Sequence, residues 1–141
     1  LDKKKEKLNC FFDINNEITK KSVIAIKKNS LSVCTIDKIN NMNDYKDNTN
    51  YYYLEELNEI ENINYFYYLM KYYKNEFIAS AFKNKSIGLS KYFLELFEIP
   101  VLSNEEQLHF ISICEYFYKQ IEILENNNNL LKETNIISLI I

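Results

Sequence analysis

The sequence predicts a single mixed α/β domain, a four-stranded mixed sheet with flanking helices and a helical insertion. Three observations carry this. Apolar residues make up 47% of the 141 positions, enough to build one core and too many for a disordered chain. Short β-branched and aromatic runs, at 8–12 and 31–36, stand apart from longer stretches in which apolar residues recur every three or four positions. Asn- and Asp-rich segments separate them.

The elements follow in order. Leu8-Asn9-Cys10-Phe11-Phe12 reads as a short buried strand. Asp13, Asn15 and Asn16 can accept from free amides and suit a helix start. The helix would run over 18–28 with Ile18, Ser22, Ala25 and Ile26 on one face. Leu31-Ser32-Val33-Cys34-Thr35-Ile36 is the second strand, parallel to the first through a right-handed crossover. A rival reading pairs Val23-Ile24-Ala25-Ile26 with 31–36 as an antiparallel hairpin. The β-branched content favours it, whereas the capping residues favour strand–helix–strand.

Residues 37–50 are polar and aperiodic, a loop. Tyr51 opens a short helix to Glu61, and 64–83 is a longer one with Phe66, Met70, Tyr73, Phe77 and Ala81 at helical spacing. After Gly88 a further helix, 89–98, sets Phe93 and Phe97 one turn apart. Ile99-Pro100-Val101-Leu102 leads into a strand, 103–107 is a polar turn, and Leu108-His109-Phe110-Ile111 returns as the fourth strand. Ser112 can cap a helix to residue 125 that would press Ile113, Phe117, Ile121 and Leu124 onto the sheet. The domain is therefore expected over 1–125 with an insertion at about 38–85. Residues 126–141 are an Asn-rich linker and the start of a following element.

Composition limits the function classes. The basic residues are 17 Lys and no Arg, and Asn, Ile, Tyr, Phe and Leu are abundant. These residues share AT-rich codons, so the bias is read as genomic before functional. Net charge is −3 with acids and lysines interspersed, which speaks against direct nucleic-acid binding. Lys3-Lys4-Lys5-Glu6-Lys7 is a local exception and reads as a solvated tail. Cys10, Cys34 and Cys114 are odd in number and scattered, so no disulfide framework is implied and a reducing, cytoplasmic setting is expected. No apolar run approaches ~20 residues, so no membrane association is expected. The first residue, Leu1, is not Met, and a longer parent chain is expected.

No constellation supplies catalytic machinery. His109 and the three cysteines lack a zinc knuckle's spacing. Cys114 with His109 is a weak nucleophile–base pair across an expected strand–helix junction. Glu55, Glu56, Glu59 and Glu61 read as a solvated face, and Lys71-Tyr72-Tyr73-Lys74 as core plus surface tyrosine where a base-stacking platform is the rival. Gly88 is the only glycine, so there is no phosphate loop. Catalytic and metal residues are accordingly expected to be none, and cofactors none.

The run Ile99-Pro100-Val101-Leu102, turn, Leu108-His109-Phe110, then Ser112-Ile113-Cys114-Glu115-Tyr116-Phe117 resembles the second half of the thioredoxin-like N-terminal domain of the glutathione S-transferase family. The likeness is nearest to the transferase-like domains appended to eukaryotic aminoacyl-tRNA synthetases, methionyl-tRNA synthetase especially. It spans about 20 residues. It implies a thioredoxin-like sheet in which Ile99 and Pro100 would hold glutathione's cysteinyl part and His109 and Phe110 stand where an acid–Ser pair grips its γ-glutamyl group. Phe12-Asp13-Ile14-Asn15-Asn16 lacks the Tyr, Ser or Cys that activates the thiol, so these positions are vestigial. The resemblance therefore implies a non-catalytic module of a cytosolic translation protein, an aminoacyl-tRNA synthetase of the methionyl kind or its scaffold, that assembles synthetase complexes by docking on other transferase-like domains. Any tRNA-ligase chemistry would lie in the parent chain. Tyr116 and Tyr118, off the Ile113–Phe117–Ile121 face, are the candidate contact residues. Two alternatives stand beside it: a divergent glutathione transferase or thiol-disulfide protein, and an unrelated helical scaffold.

Overall fold

A computed structural model of the chain describes residues 4–28, 33–35, 50–83 and 89–140. It is mixed α/β, with two antiparallel sheets and four α-helices among those residues. Strand β1 (Lys5–Lys7) leads through one 3₁₀ turn, Leu8–Cys10, into β2 (Phe12–Asn15). Strands β3 (Ser22–Lys27), β4 (Val33–Thr35) and β5 (Tyr51–Glu56) follow. Helices α1 (Ile63–Tyr72), α2 (Lys74–Lys83) and α3 (Lys91–Leu96) come next, then β6 (Glu98–Pro100) and the long helix α4 (Asn104–Ile140).

The main sheet has the order β2-β5-β3-β4, and every neighbouring pair is antiparallel. The hairpin reading of 22–36 is the one realised: Ile24, Ala25 and Ile26 register against Thr35, Cys34 and Val33. The expected helix over 18–28, and with it the parallel crossover of a thioredoxin-like sheet, is corrected. All residues from Ser22 to Ile26 are buried, and a strand covered on both faces needs no polar alternation. That continuous burial is why its apolar positions also fitted a helical face. A bulge between Ser22 and Ile24 lets both Val23 and Ile24 enter the core.

Further elements differ from expectation. The strand expected over 8–12 is a 3₁₀ turn at Leu8–Cys10, and the strand begins only at Phe12. Residues 51–56 form the strand between β2 and β3, where a helix was expected; Tyr51-Tyr52-Tyr53-Leu54 is aromatic-rich and packs well on a pleated surface. The described part of the expected insertion, 50–83, is thus no appendage, since β5 and α1 belong to the core; its remainder lies outside the described residues. The expected single helix 64–83 is broken at Tyr73, whose ring meets Phe97 at 5.0 Å. The expected strand 108–111, the capped helix 112–125 and the linker 126–129 all lie inside α4. Ser112 caps nothing; its Oγ donates back to the Leu108 carbonyl at 3.1 Å, as a hydroxyl inside a helix does.

The core lies between one face of the sheet and the helices. Phe12, Ile14, Ile24, Ile26, Tyr52 and Leu54 alternate onto that face and meet Tyr65, Phe66, Leu69 and Met70 of α1. Ala25 and Tyr53 are buried on the opposite face with Ile18 and Tyr51. The β1–β6 ribbon closes one end, with Leu8 N–H donating to the Phe97 carbonyl (2.8 Å) and Val101 N–H to the Lys4 carbonyl (2.8 Å).

Candidate interaction surface

Helix α4 is 37 residues long, about 55 Å at 1.5 Å per residue. Its start is fixed by a reciprocal cap: Glu106 N–H donates to Ser103 Oγ (3.2 Å) and Ser103 N–H to Glu106 Oε1 (3.1 Å). Asn62 Nδ2 donates to Asn104 Oδ1 and to Gln107 Oε1, tying this turn to the start of α1.

The next three turns lean on α1 through aromatic contacts. Phe110 meets Tyr65 edge-on at 5.6 Å, and Tyr65 Oη donates to the Pro100 carbonyl at 2.9 Å. Burial, with smaller contributions from Tyr73 and Glu106, pushes the Tyr65 hydroxyl up to about 12. Tyr118 stacks on Tyr68 at 5.7 Å, and the Lys71 ammonium sits 3.8 Å from the Tyr118 ring centroid. Burial raises the Cys114 thiol despite the opposing influence of Lys71, which makes it a poor nucleophile.

Beyond this seam the helix carries large apolar side chains that nothing among the described residues covers. Ile113 is 43% exposed, Tyr116 61%, Phe117 60%, Ile121 48% and Leu124 61%. The α1-facing positions Gln107, Ile111, Cys114 and Tyr118 follow a 4-3-4 spacing, so the exposed row lies on another side of the helix. The expectation that Ile113, Phe117, Ile121 and Leu124 press onto the sheet is corrected: α1 already covers that sheet face.

The expected site residues are scattered by the fold. Ile99 is fully buried and registers against Glu6 in the two-stranded β1–β6 ribbon, apart from the main sheet. The Pro100 carbonyl is taken by Tyr65. His109 is exposed on α4 beside half-buried Phe110, on a groove lined also by Leu102, Glu105, Glu106 and Ile113. These four positions do not converge on one pocket. Tyr116 is open to a partner, while Tyr118 is engaged by Tyr68 and Lys71. Cys10 is exposed, its Sγ 3.6 Å from Glu6 Oε2, on a cleft of about 280 Å³ lined by both polar side chains (Asn58, Asn62, Gln107) and apolar ones (Phe11, Ile60, Phe66). Among the described residues no three His, Cys, Asp or Glu side chains group to hold a metal, and no helix is long and apolar enough to cross a membrane.

The continuous helix was signalled by Ser103-x-x-Glu106, a capping box that reads in the sequence as easily as a polar turn. Compared with family models, curated proteins and solved structures, the chain matches none.

Proposed function

We propose that this chain is a non-catalytic protein-interaction module that docks through the exposed side of α4. The observation that carries the reading is the row Ile113–Tyr116–Phe117–Ile121–Leu124, between 43% and 61% exposed on a helix whose other side is anchored. Contiguous apolar surface of this kind is costly to leave in water and marks a contact with another protein. The row holds no charged residue, as the centre of an interface requires.

The partners that the resemblance implies are transferase-like domains of translation factors or synthetases. That finer reading rests on the sequence likeness alone: Ile99 and Pro100 lie in β6, and Leu108 to Phe117 fold inside one helix.

The test is solvent access at the row. Leu124→Cys is placed in a chain with Cys10, Cys34 and Cys114 replaced by Ser. Its alkylation is timed in dilute purified protein and in the extract of the cells that make it. Slower alkylation in the extract, restored to the dilute rate by Phe117→Glu, is expected. Equal rates in both settings overturn the reading. A maleimide cross-linker at the same position then shows whether synthetases or tRNA-binding scaffolds are the neighbours.

The divergent-transferase alternative requires a glutathione site. With Ile99 paired to β1 and the Pro100 carbonyl bonded to Tyr65, calorimetric titration with glutathione is expected to show no saturable binding. Micromolar binding would favour the enzyme over the docking module.

A further inference from the structure

We infer that the partner on α4 is a second copy of this chain, paired with it in parallel and in register as a two-stranded coiled coil. The inference rests on the docking reading above and names its occupant.

The first observation is a seven-residue repeat along α4. Pairs of adjacent apolar residues recur at Tyr116–Phe117, Ile123–Leu124 and Leu130–Leu131. Midway between them, again seven apart, stand Ile113, Gln120 and Asn127. In a helix these positions form one seam, the a and d sites of a heptad with apolar e sites beside them. Measured around the helix at 100° per residue, the centre of this seam lies roughly 140° from the line through Gln107, Ile111, Cys114 and Tyr118 that faces α1. The described core of the domain therefore does not obstruct a second helix. A polar ridge, Glu115–Lys119–Glu122, runs between the two apolar sides and stays at the solvent.

The second observation decides the occupant and its direction. The seam's central polar groups are carboxamides, Gln120 and Asn127, and none of its positions from Ile113 to Leu124 is charged. A two-fold interface must be complementary to itself. Carboxamides are, since each both donates and accepts, whereas a carboxylate or ammonium meets its own charge. In a parallel pair each a position faces its own copy, so Gln120 meets Gln120 and Asn127 meets Asn127. In an antiparallel pair a faces d, and the amides would be buried against Tyr, Ile and Leu without partners.

The third observation is area. Ile113, Tyr116, Phe117, Ile123 and Leu124 are 42% to 61% exposed. At roughly 200 Å² for a full side chain they leave about 500 Å² per copy, or ~1,000 Å² per pair, where specific interfaces begin. The helix also needs such a partner. Beyond Tyr118 it makes no described packing contact, and Asn126–Asn129 are poor helix formers, so this half is marginal alone in water.

Sedimentation across a concentration series, with the whole chain, reads the pairing. The wild type is expected to pass from monomer to dimer, with no larger species. Phe117→Glu with Leu124→Glu is expected to stay monomeric throughout that range while its near-ultraviolet circular dichroism is unchanged. Direction is read by Asn127→Cys in the chain lacking the native cysteines: mild oxidation should give a disulfide-linked dimer, and Glu115→Cys on the polar ridge should not. A dimer in which Asn127→Cys fails to link overturns the parallel register. A wild type monomeric at every concentration overturns self-pairing. In that case the alkylation test above separates the two failures: slower labelling in extract keeps the docking reading with another occupant, and equal labelling removes both.

Discussion

Tyr65 shows what individual residues contribute and why sequence alone did not single it out. It is one of 12 tyrosines in a chain whose codon bias makes tyrosine common. Only the fold separates it: the ring is 1% exposed, edge-on to Phe66 at 5.2 Å and Phe110 at 5.6 Å, and its hydroxyl holds the Pro100 carbonyl. It thereby joins α1, β6 and α4 at one point. Its hydroxyl titrates near 12 when folded, against 10.0 for an ordinary tyrosine. The folded state therefore keeps a proton that the unfolded chain loses first. Stability from this group is fully present below about pH 10 and falls as pH rises toward 12, by ~2–3 kcal/mol. Tyr65→Phe is expected to cost about 1 kcal/mol at neutral pH through the lost hydrogen bond. It should also flatten the alkaline fall in urea-unfolding free energy. A variant that loses stability between pH 10 and 12 as steeply as the wild type would assign the fall to another group. Pro100 was legible in the sequence as a special position, but its use here is a carbonyl that accepts from a buried tyrosine.

At the scale of elements, legibility follows how far local pattern and tertiary environment agree. Helix 64–83 was legible because Phe66, Met70 and Phe77 repeat at helical spacing and all three are buried; the break at Tyr73 was not, because no local residue marks it and Tyr73's ring contact there is with Phe97, 24 positions away. Strand β5 was missed because Glu55 and Glu56 resemble a solvated helix face. In the fold Glu55 accepts from Asn15 Nδ2 (2.9 Å) and Thr19 Oγ1 (3.1 Å), bonds that need the neighbouring strand. The start of α4 depends on Ser103 and Glu106, which lie in a stretch whose composition suits a polar turn equally well. Because Ser103 and Glu106 satisfy each other's amides, Ser103→Ala should cost about 1 kcal/mol. Urea titration is the measurement, with Glu106→Gln as companion. Glutamine can complete the same cap, so its loss should be the smaller. Equal losses would mean that the carboxylate's charge near the helix start outweighs the cap geometry.

The whole molecule divides by what holds each part. The sheet, α1 and the ribbon share one buried cluster in which Leu8, Ile24, Leu54, Met70, Leu94 and Ile99 are fully enclosed. Among the described residues, α4 joins that cluster through its first turns, by way of Phe110 and Ile111. The candidate surface was half legible: Tyr116 and the Ile113–Phe117–Ile121–Leu124 row were readable from spacing, but an apolar row on a helix does not say whether the core or a partner covers it. That depends on whether the sheet face is already occupied, and α1 occupies it. The same division sets how the protein opens. Amides of β3, β5 and α1 can exchange only when the shared cluster opens, so their protection should approach the global unfolding free energy. Amides of α4 after Lys119 depend on helix propensity and on whatever covers the seam. Hydrogen exchange followed by mass spectrometry at two protein concentrations, one on either side of the dimerisation midpoint, is expected to separate the classes. Peptides from β3, β5 and α1 should be strongly protected in both samples, with only the gain that linkage to the dimer adds to global unfolding. Peptides from 119–140 should be weakly protected when dilute and strongly protected when concentrated, because association closes the local fraying of the segment it covers. Phe117→Glu should hold the distal half of α4 in its dilute behaviour at either concentration. Protection of 119–140 that is strong and independent of concentration would show that the helix is held from within the chain, and the exposed row would then need no partner to stay ordered.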